Sequence, residues 1–288
     1  MKMNKISMLL PVYNEGHILR HSLENTMRYV HEAIVVDGSP WGSSTDETPD
    51  IIAEFDLLYP GKITYLTGTF ALENGAWDES AQRNLGLSKV TGNILMPHCG
   101  DMVYTNEGMA RMVAAVDKFR EQKIFYCLFL EFWIDQTRLR LYMERVMNEW
   151  FPLPAVSDIP MMSMDVVEHY HDGPNLRLKP RDDTHYLYVP QAYRYHYGWI
   201  TGFAAQVKKH IRNMSMGAWK KAGEPIVESG EAGIAKWAIN HVINYKVMGS
   251  HPFSGDLPIN ANYNYLEGYD KTIAGYESKH GKDFWKEE

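Results

Sequence analysis

Between Ile6 and Met96 short apolar runs alternate with stretches of helical spacing, and this alternation constrains the fold more than any other feature of the chain. Ile6–Pro11 is an apolar run that stops at a turn. From His17 to Val30, residues Ile18, Leu19, Leu23, Met27 and Val30 fall on one helical side. Ala33–Val36 reads as a second strand, ended by Asp37-Gly38-Ser39. Thr48–Phe55 reads as a second helix, entered through Thr48-Pro49-Asp50. Ile63–Leu66, Glu79–Leu87 and Asn93–Met96 continue as strand, helix and strand. Short, continuously apolar strands separated by helices predict an α/β fold, with a mostly parallel central sheet covered by helices on both faces.

The pattern then changes. Asn106–Gln122 predicts a helix with Met109, Met112, Val113, Val116 and Phe119 as its apolar stripe, and Ile124–Ile134 predicts a strand. Residues 135–200 are rich in proline, aspartate, histidine and tyrosine, with weak periodicity. Residues 203–245 regain helical spacing, and the tail after Gly249 carries turn residues and tyrosines. This predicts one unit over 1–200 and a C-terminal helical extension and tail over 201–288, divided near Gly198–Gly202.

Composition narrows the function classes. There are 36 acidic against 29 basic residues, a net charge of −7, which argues against coating nucleic acid by bulk charge. Cys99 and Cys127 are too few for a disulfide framework or a four-cysteine zinc site. The first residues, MKMNKISMLLPVYNEG, hold a short apolar run broken by Pro11 and Asn14, without a small-residue cleavage site. The longest apolar stretch, Ile124–Ile134, contains Glu131 and falls well short of the ~20 residues that span a bilayer. A cytoplasmic protein is therefore expected. The 18 Tyr, 10 Phe and 8 Trp suffice to line a polar ligand cleft, or equally to fill a core.

Four segments follow the strands in order: PVYNEG (Pro11–Gly16), VVDGS (Val35–Ser39) with SSTDET (Ser43–Thr48), QRNLGLSKVTGNIL (Gln82–Leu95), and MPHCGD (Met96–Asp101). Over about the first 105 residues this resembles the family 2 glycosyltransferases and their nucleotide-sugar-binding GT-A fold. Those enzymes read P-x-Y-N-E, then V-D-D-G-S-x-D-x-T, then a-R-N-x-G, then a D-x-D. The resemblance implies an inverting transferase that moves a sugar from a nucleotide-diphosphate donor to an acceptor hydroxyl. It implies a donor site at Pro11, Tyr13, Glu15, Asp37, Arg83 and Asp101, with Asp37 toward the base or ribose and Arg83 bordering the nucleotide. Apart from Arg83, which falls in the third predicted helix, these residues lie just past predicted strand ends, where ligands bind in an open α/β sheet.

The chain departs from the family pattern in two places. Cys99-Gly100-Asp101 stands where D-x-D is usual, so Asp101 alone remains to hold Mn²⁺ or Mg²⁺ against the diphosphate; thiol sulfur suits Mg²⁺ poorly. A single Asp37 stands where two acids are usual, and Pro40-Trp41-Gly42 lengthens the loop that follows. Further along, Tyr195-His196-Tyr197-Gly198-Trp199 resembles an H-Y-G-W segment of some family 2 enzymes, which is followed by a helix bearing lysines, here Lys208 and Lys209. The resemblance makes His196 a second metal ligand or a diphosphate contact. His169, His171 and Asp172 read as a solvated loop rather than a metal site.

Inversion needs a base to take the acceptor proton. Glu131, Asp158, Asp182 and Asp183 are the candidates, with Asp183 and Asp182 preferred because they offer adjacent acids in a polar loop. The acceptor is left open among saccharide, lipid-linked, protein and nucleic-acid base. Lys208, Lys209, His210, Arg212, Lys220 and Lys221 form a basic patch that suits a phosphate-bearing acceptor or peripheral contact with an anionic membrane, or is a solvated helix face. The lost aspartate keeps a second reading open, a catalytically impaired sugar-nucleotide or glycan-binding module. A dinucleotide-binding protein is disfavoured, since no G-x-G-x-x-G follows the first strand.

Overall fold

The computed structural model describes residues 4–73, 75–133, 135–140, 160–172, 175–179, 186–198, 203–215, 232–233, 235–236, 238–239, 250–252 and 269–283. The first half alternates as the apolar runs predict: β1 (Ile6–Val12), α1 (Gly16–Thr26), β2 (Glu32–Ser39), α2 (Thr48–Leu58), β3 (Ile63–Thr69), α3 (Glu79–Leu87) and β4 (Ile94–Pro97). β1 pairs in parallel with β2 on one side and β4 on the other, and β2 pairs in parallel with β3. The order β3-β2-β1-β4 therefore reverses direction beside β1. That is a topological switch point, with a crevice beyond the strands' carboxyl ends.

Side-chain alternation along β1 and β2 builds a core on each face. Met8, Leu10, Val12, Ala33 and Val35 pack toward Leu19 and Leu23 of α1, Ile52 and Phe55 of α2, and the helix α4 (Asn106–Lys118) with Met109, Met112 and Val116. Leu9, Ile34, Val36 and Leu95 face the other way. On that side a Cβ at Gly86 of α3 would lie 2.8 Å from Val36 Cγ2, so the lack of a side chain lets α3 lie close on the sheet. Each buried aliphatic side chain contributes about 1.5–3 kcal/mol. Helix starts are fixed locally. Asp78 accepts from Ala81 N at 2.8 Å to cap α3, Thr105 accepts from Gly108 N at 2.9 Å to cap α4, and Pro49 sits in the first turn of α2. α4 ends at Lys118, earlier than its spacing predicts, with Phe119 as C-cap.

The second half extends this sheet. β5 (Met102–Tyr104), β6 (Ile124–Trp133), β7 (Asp135–Arg140), β8 (Met161–Ser163), β11 (Tyr186–His196) and β12 (Ser250–Pro252) join it, while β9 (Val167–Asp172) and β10 (Asn175–Leu178) form a separate antiparallel hairpin. β8 bridges β4 and β6, antiparallel to both. β11 pairs in parallel with β6 and antiparallel with β5. Two helices follow, α5 (Phe203–Ser215) and α6 (Tyr269–His280). One expectation is corrected here: His169–Asp172 lies in a strand and not a loop. Strands also occur between 161 and 196, where periodicity is weak, and a helix spans 269–280 in the tail. Among the described residues no helix is long and apolar enough to cross a membrane.

One side chain joins α3 to the hairpin. Asn84 Nδ2 donates to Tyr170 O at 2.8 Å, and Asn84 Oδ1 accepts from Tyr170 N at 2.8 Å. An amide here stands in for a neighbouring strand, satisfying both backbone groups of Tyr170. Asn84→Ala should lower unfolding free energy by about 1–3 kcal/mol through those two unsatisfied groups. Urea titration followed by circular dichroism checks this.

Candidate active site

PVYNEG and SSTDET fold as one unit. Asn14 sits at the end of β1 in the left-handed region, φ 54°, a conformation asparagine tolerates better than most residues. Its backbone N donates to Ser44 Oγ at 2.8 Å, and its Oδ1 accepts from Thr45 N at 2.8 Å. Glu15 N donates to Thr48 Oγ1 at 2.9 Å, and Gly16 N to Asp46 Oδ2 at 2.9 Å. Behind them, buried Gln82 donates from Nε2 to Val12 O, Val36 O and Gly38 O at 3.3, 2.8 and 3.2 Å, tying the ends of β1 and β2 together. Pro11 is buried within β1, while Tyr13 and Glu15 are half-buried just beyond it.

Asp37 ends β2 fully buried. Its Oδ1 accepts from Ser44 N at 2.9 Å and from Ser44 Oγ at 2.6 Å, and its Oδ2 accepts from Tyr65 OH at 2.7 Å. Burial, then that hydrogen bond and the Asp37 charge, push the Tyr65 phenol well above its ordinary range. In this arrangement Asp37 anchors the loop after β2, and a ligand meets its carboxylate only if Ser44 or Tyr65 yields.

Arg83 lies on the sheet side of α3, almost wholly buried. Its Nη2 is 3.9 Å from Cys99 Sγ and 3.7 Å from Glu79 Oε2, and its guanidinium lies 5.6 Å from the Tyr170 ring centroid. Its Nε has no hydrogen-bond partner among the described residues. Cys99 thus belongs to Arg83's surroundings.

Asp101 and His196, 95 residues apart in sequence, come together. Asp101 Oδ2 is 3.1 Å from His196 Nε2 and 3.6 Å from Lys209 Nζ, which also donates to Gly198 O at 2.8 Å. The backbone makes the meeting: Met102 pairs with His196 across β5 and β11, and Tyr197 N donates to Asp101 O at 2.8 Å. Burial alone would raise the Asp101 pKa. The charge and hydrogen bond of His196, followed by Lys209 and His17, outweigh it and hold the carboxyl well below the ordinary range. A Cβ at Gly198 would fall 2.6 Å from His196 Nε2 and 2.9 Å from Lys209 Nζ, and closer still to Asp101 Oδ2, so a side chain there would displace the ends of this cluster.

The structure therefore brings Tyr13, Glu15, Arg83, Asp101 and His196 to the carboxyl ends of the strands, and adds Lys209. Asp158, Asp182 and Asp183 lie outside the described residues. Glu131 pairs in backbone register with His196. Of the basic patch, Lys208 is exposed, Lys209 turns into the cluster and His210 is buried, so these three do not share one face; Lys220 and Lys221 lie outside the described residues. His169 and His171 sit on β9, and among the described residues no group of three metal-ligating side chains occurs. The resemblance names Lys208 and Lys209 together; which of the two turns inward depends on where α5 starts relative to β11, and spacing alone does not choose between them.

The chain belongs to glycosyl transferase family 2, whose family model matches residues 7–156. It is a glycosyltransferase of GT-A type, with a mostly parallel sheet flanked by helices. Among solved structures it is similar to residues 1–349 of S. aureus TarS, at 14% identity over 84% of this chain and 71% of that one, with a TM-score of 0.45. It is also similar to the mannosyltransferase PcManGT from Pyrobaculum calidifontis in complex with GDP-Man and Mn²⁺, at 14% identity over 99% and 86%, TM-score 0.40. A third is glucosyl-3-phosphoglycerate synthase from Mycobacterium tuberculosis in complex with Mg²⁺ and UDP, at 12% identity over 79% and 82%, TM-score 0.41. No curated protein sequence matches the chain.

Two predictions follow from this geometry. Gly198→Ala should lower turnover by roughly 10²-fold, the scale of an ångström-sized misplacement, while far-UV circular dichroism stays unchanged. His98, three residues before Asp101, is buried, with Nε2 2.8 Å from Ser22 Oγ. Burial, then the Arg194 charge, hold its pKa down to about 3, against about 6.5 when unfolded. The unfolded chain therefore binds the extra proton first. The contribution of neutral His98 is complete above about pH 6.5 and is lost as pH falls toward 3, at up to about 1.4 kcal/mol per pH unit. Urea midpoints between pH 7 and 4 should fall more steeply for the wild type than for His98→Gln.

Proposed function

We propose that the protein transfers a sugar, with inversion, from a nucleotide-diphosphate donor to an acceptor hydroxyl. The observation that carries this reading is the convergence of Asp101 and His196, with Arg83 reaching Cys99 two residues before Asp101. An oxygen and a nitrogen donor 3.1 Å apart fit two neighbouring positions around one divalent ion, and an imidazole nitrogen suits Mn²⁺ better than Mg²⁺. Asp101 and His196 would hold the ion, with diphosphate oxygens and water in its other positions. When bound, the ion supplies positive charge against the diphosphate as it leaves.

The chain's own groups act around it. The Arg83 guanidinium and the Lys209 ammonium add fixed positive charge at the same crevice, where anionic ligands are attracted. A carboxylate on the acceptor side takes the hydroxyl proton as the acceptor oxygen bonds to sugar C1 and the C1–O bond to the diphosphate breaks. Asp183 and Asp182 are the proposed bases. Glu131 is the alternative, supported by its register position opposite His196. Residues 1–200 are proposed as the catalytic unit, to which the 201–288 extension adds Lys209.

Cys99 in place of the first acid favours a second reading, a module that binds a sugar nucleotide or glycan without turning it over. Release of nucleoside diphosphate from donor separates the two. Asp101→Asn should abolish most metal-supported turnover in a folded protein, and His196→Ala should reduce Mn²⁺-supported turnover more than Mg²⁺-supported turnover. EDTA should silence the wild type. Full wild-type activity in EDTA, with Asp101→Asn unimpaired, rejects the metal role of this pair.

A further inference from the structure

We propose that Trp41 is a wall of the nucleobase pocket and that a base is held by stacking on it, an inference that rests on the nucleotide-donor reading. Trp41 belongs to the loop that lengthens the segment after β2. The residue is 56% exposed, a large aromatic side chain beyond the end of β2. The backbone beneath it is fixed. Buried Ser39 accepts from Trp41 N at 3.1 Å through Oγ, and the same hydroxyl donates to Gly42 O at 2.8 Å. Gly42 N donates to Ser39 O at 3.2 Å, and Gly42 takes φ 107°, a conformation that needs glycine. Phe70 N also donates to Ser39 O, at 3.0 Å, joining the turn to the chain beyond β3.

The ring is also placed among aromatic neighbours. Tyr13, from PVYNEG, has its ring centroid 6.2 Å from Trp41 at 39°, and 5.8 Å from Trp77 at 81°. An exposed indole on a fixed turn beside a second aromatic ring gives a planar apolar surface that needs little ordering to accept a flat ligand. Position argues for the base as that ligand. The groups suited to a diphosphate, Arg83, Asp101 and His196, gather at the end of β4. Trp41 follows β2, and β1 lies between them, so the separation is two strand spacings, roughly 10 Å. That is the scale of a nucleoside from its phosphates to its base. The Asp37 carboxylate, buried at the end of the same crevice, holds Ser44 and Tyr65 in place beside the Trp41 turn.

The test is calorimetric titration of UDP, GDP, ADP and dTDP, with inorganic pyrophosphate as a probe lacking a base, into wild type, Trp41→Ala and Trp41→Phe with Mn²⁺ present. The expected result is that Trp41→Ala weakens the best-bound nucleotide by roughly five- to a hundredfold, the range of one base–aromatic stack. Trp41→Phe should keep most of the affinity, and pyrophosphate should bind all three proteins alike. Equal nucleotide affinity in wild type and Trp41→Ala overturns the role of Trp41 and leaves the donor reading standing. Equal losses for nucleotide and pyrophosphate also overturn it, since the defect is then not at the base. A wild type that binds none of the nucleotides overturns the donor reading, and this inference with it.

Discussion

The antiparallel pairing of β5 with β11 is the constraint on which the candidate site depends. β5 is only three residues long, yet its register with β11 sets Met102 opposite His196, and the hydrogen bond from Tyr197 N to Asp101 O closes the pair. The backbone thus brings an acid from the end of the parallel half beside an imidazole and an ammonium from the second half. A one-residue slip would turn His196 to the other face of the sheet. Glycine at 198 completes the constraint by leaving room for three polar heads at one point.

Two buried guanidiniums flank this joint, and each lies over an aromatic ring. Arg83 is 5.6 Å from the Tyr170 centroid, and Arg194 is 5.1 Å from that of Phe129. Aromatic faces partly offset the loss of hydration without cancelling the positive charge. The region therefore keeps a positive field, which low-dielectric walls focus toward the crevice. Burial, together with the Arg194 charge, also keeps His98 neutral.

The parallel half was legible because its signals are local. Apolar runs, helical spacing, Pro49 and the order of the four motifs lie within short windows, and β1 to β4 stand where those windows put them. The second half was harder for identifiable reasons. β11 contains Pro190, its pairing with β6 shifts between Tyr188 and Tyr193, and Gln191 takes φ 58°, so an irregular strand hides its period of two. The hairpin of β9 and β10 is seated by Asn84, a contact 86 residues long, and by Val167, Tyr170 and Leu176 in the core beneath α3, all long-range. Of the site, Asp101 and His196 were readable through motif resemblance. The bonds from Ser44 and Tyr65 to Asp37, and the reach of Lys209, depend on tertiary placement that no local window contains.

The reciprocal bonds between residues 14–16 and 44–48 have a consequence for how such a crevice can diversify. Each loop holds the other's backbone, so neither tolerates a change of length inside the bonded stretch without losing partners on both sides. Extra residues can be absorbed upstream of Ser44, in the turn from Ser39 to Gly42, whose hydrogen bonds do not involve residues 14–16. The crevice thus has a locked rim and a neighbouring variable one. Indels at the variable rim, more than point changes at the locked one, are the evolutionary route by which a protein built this way would be retuned to a different ligand.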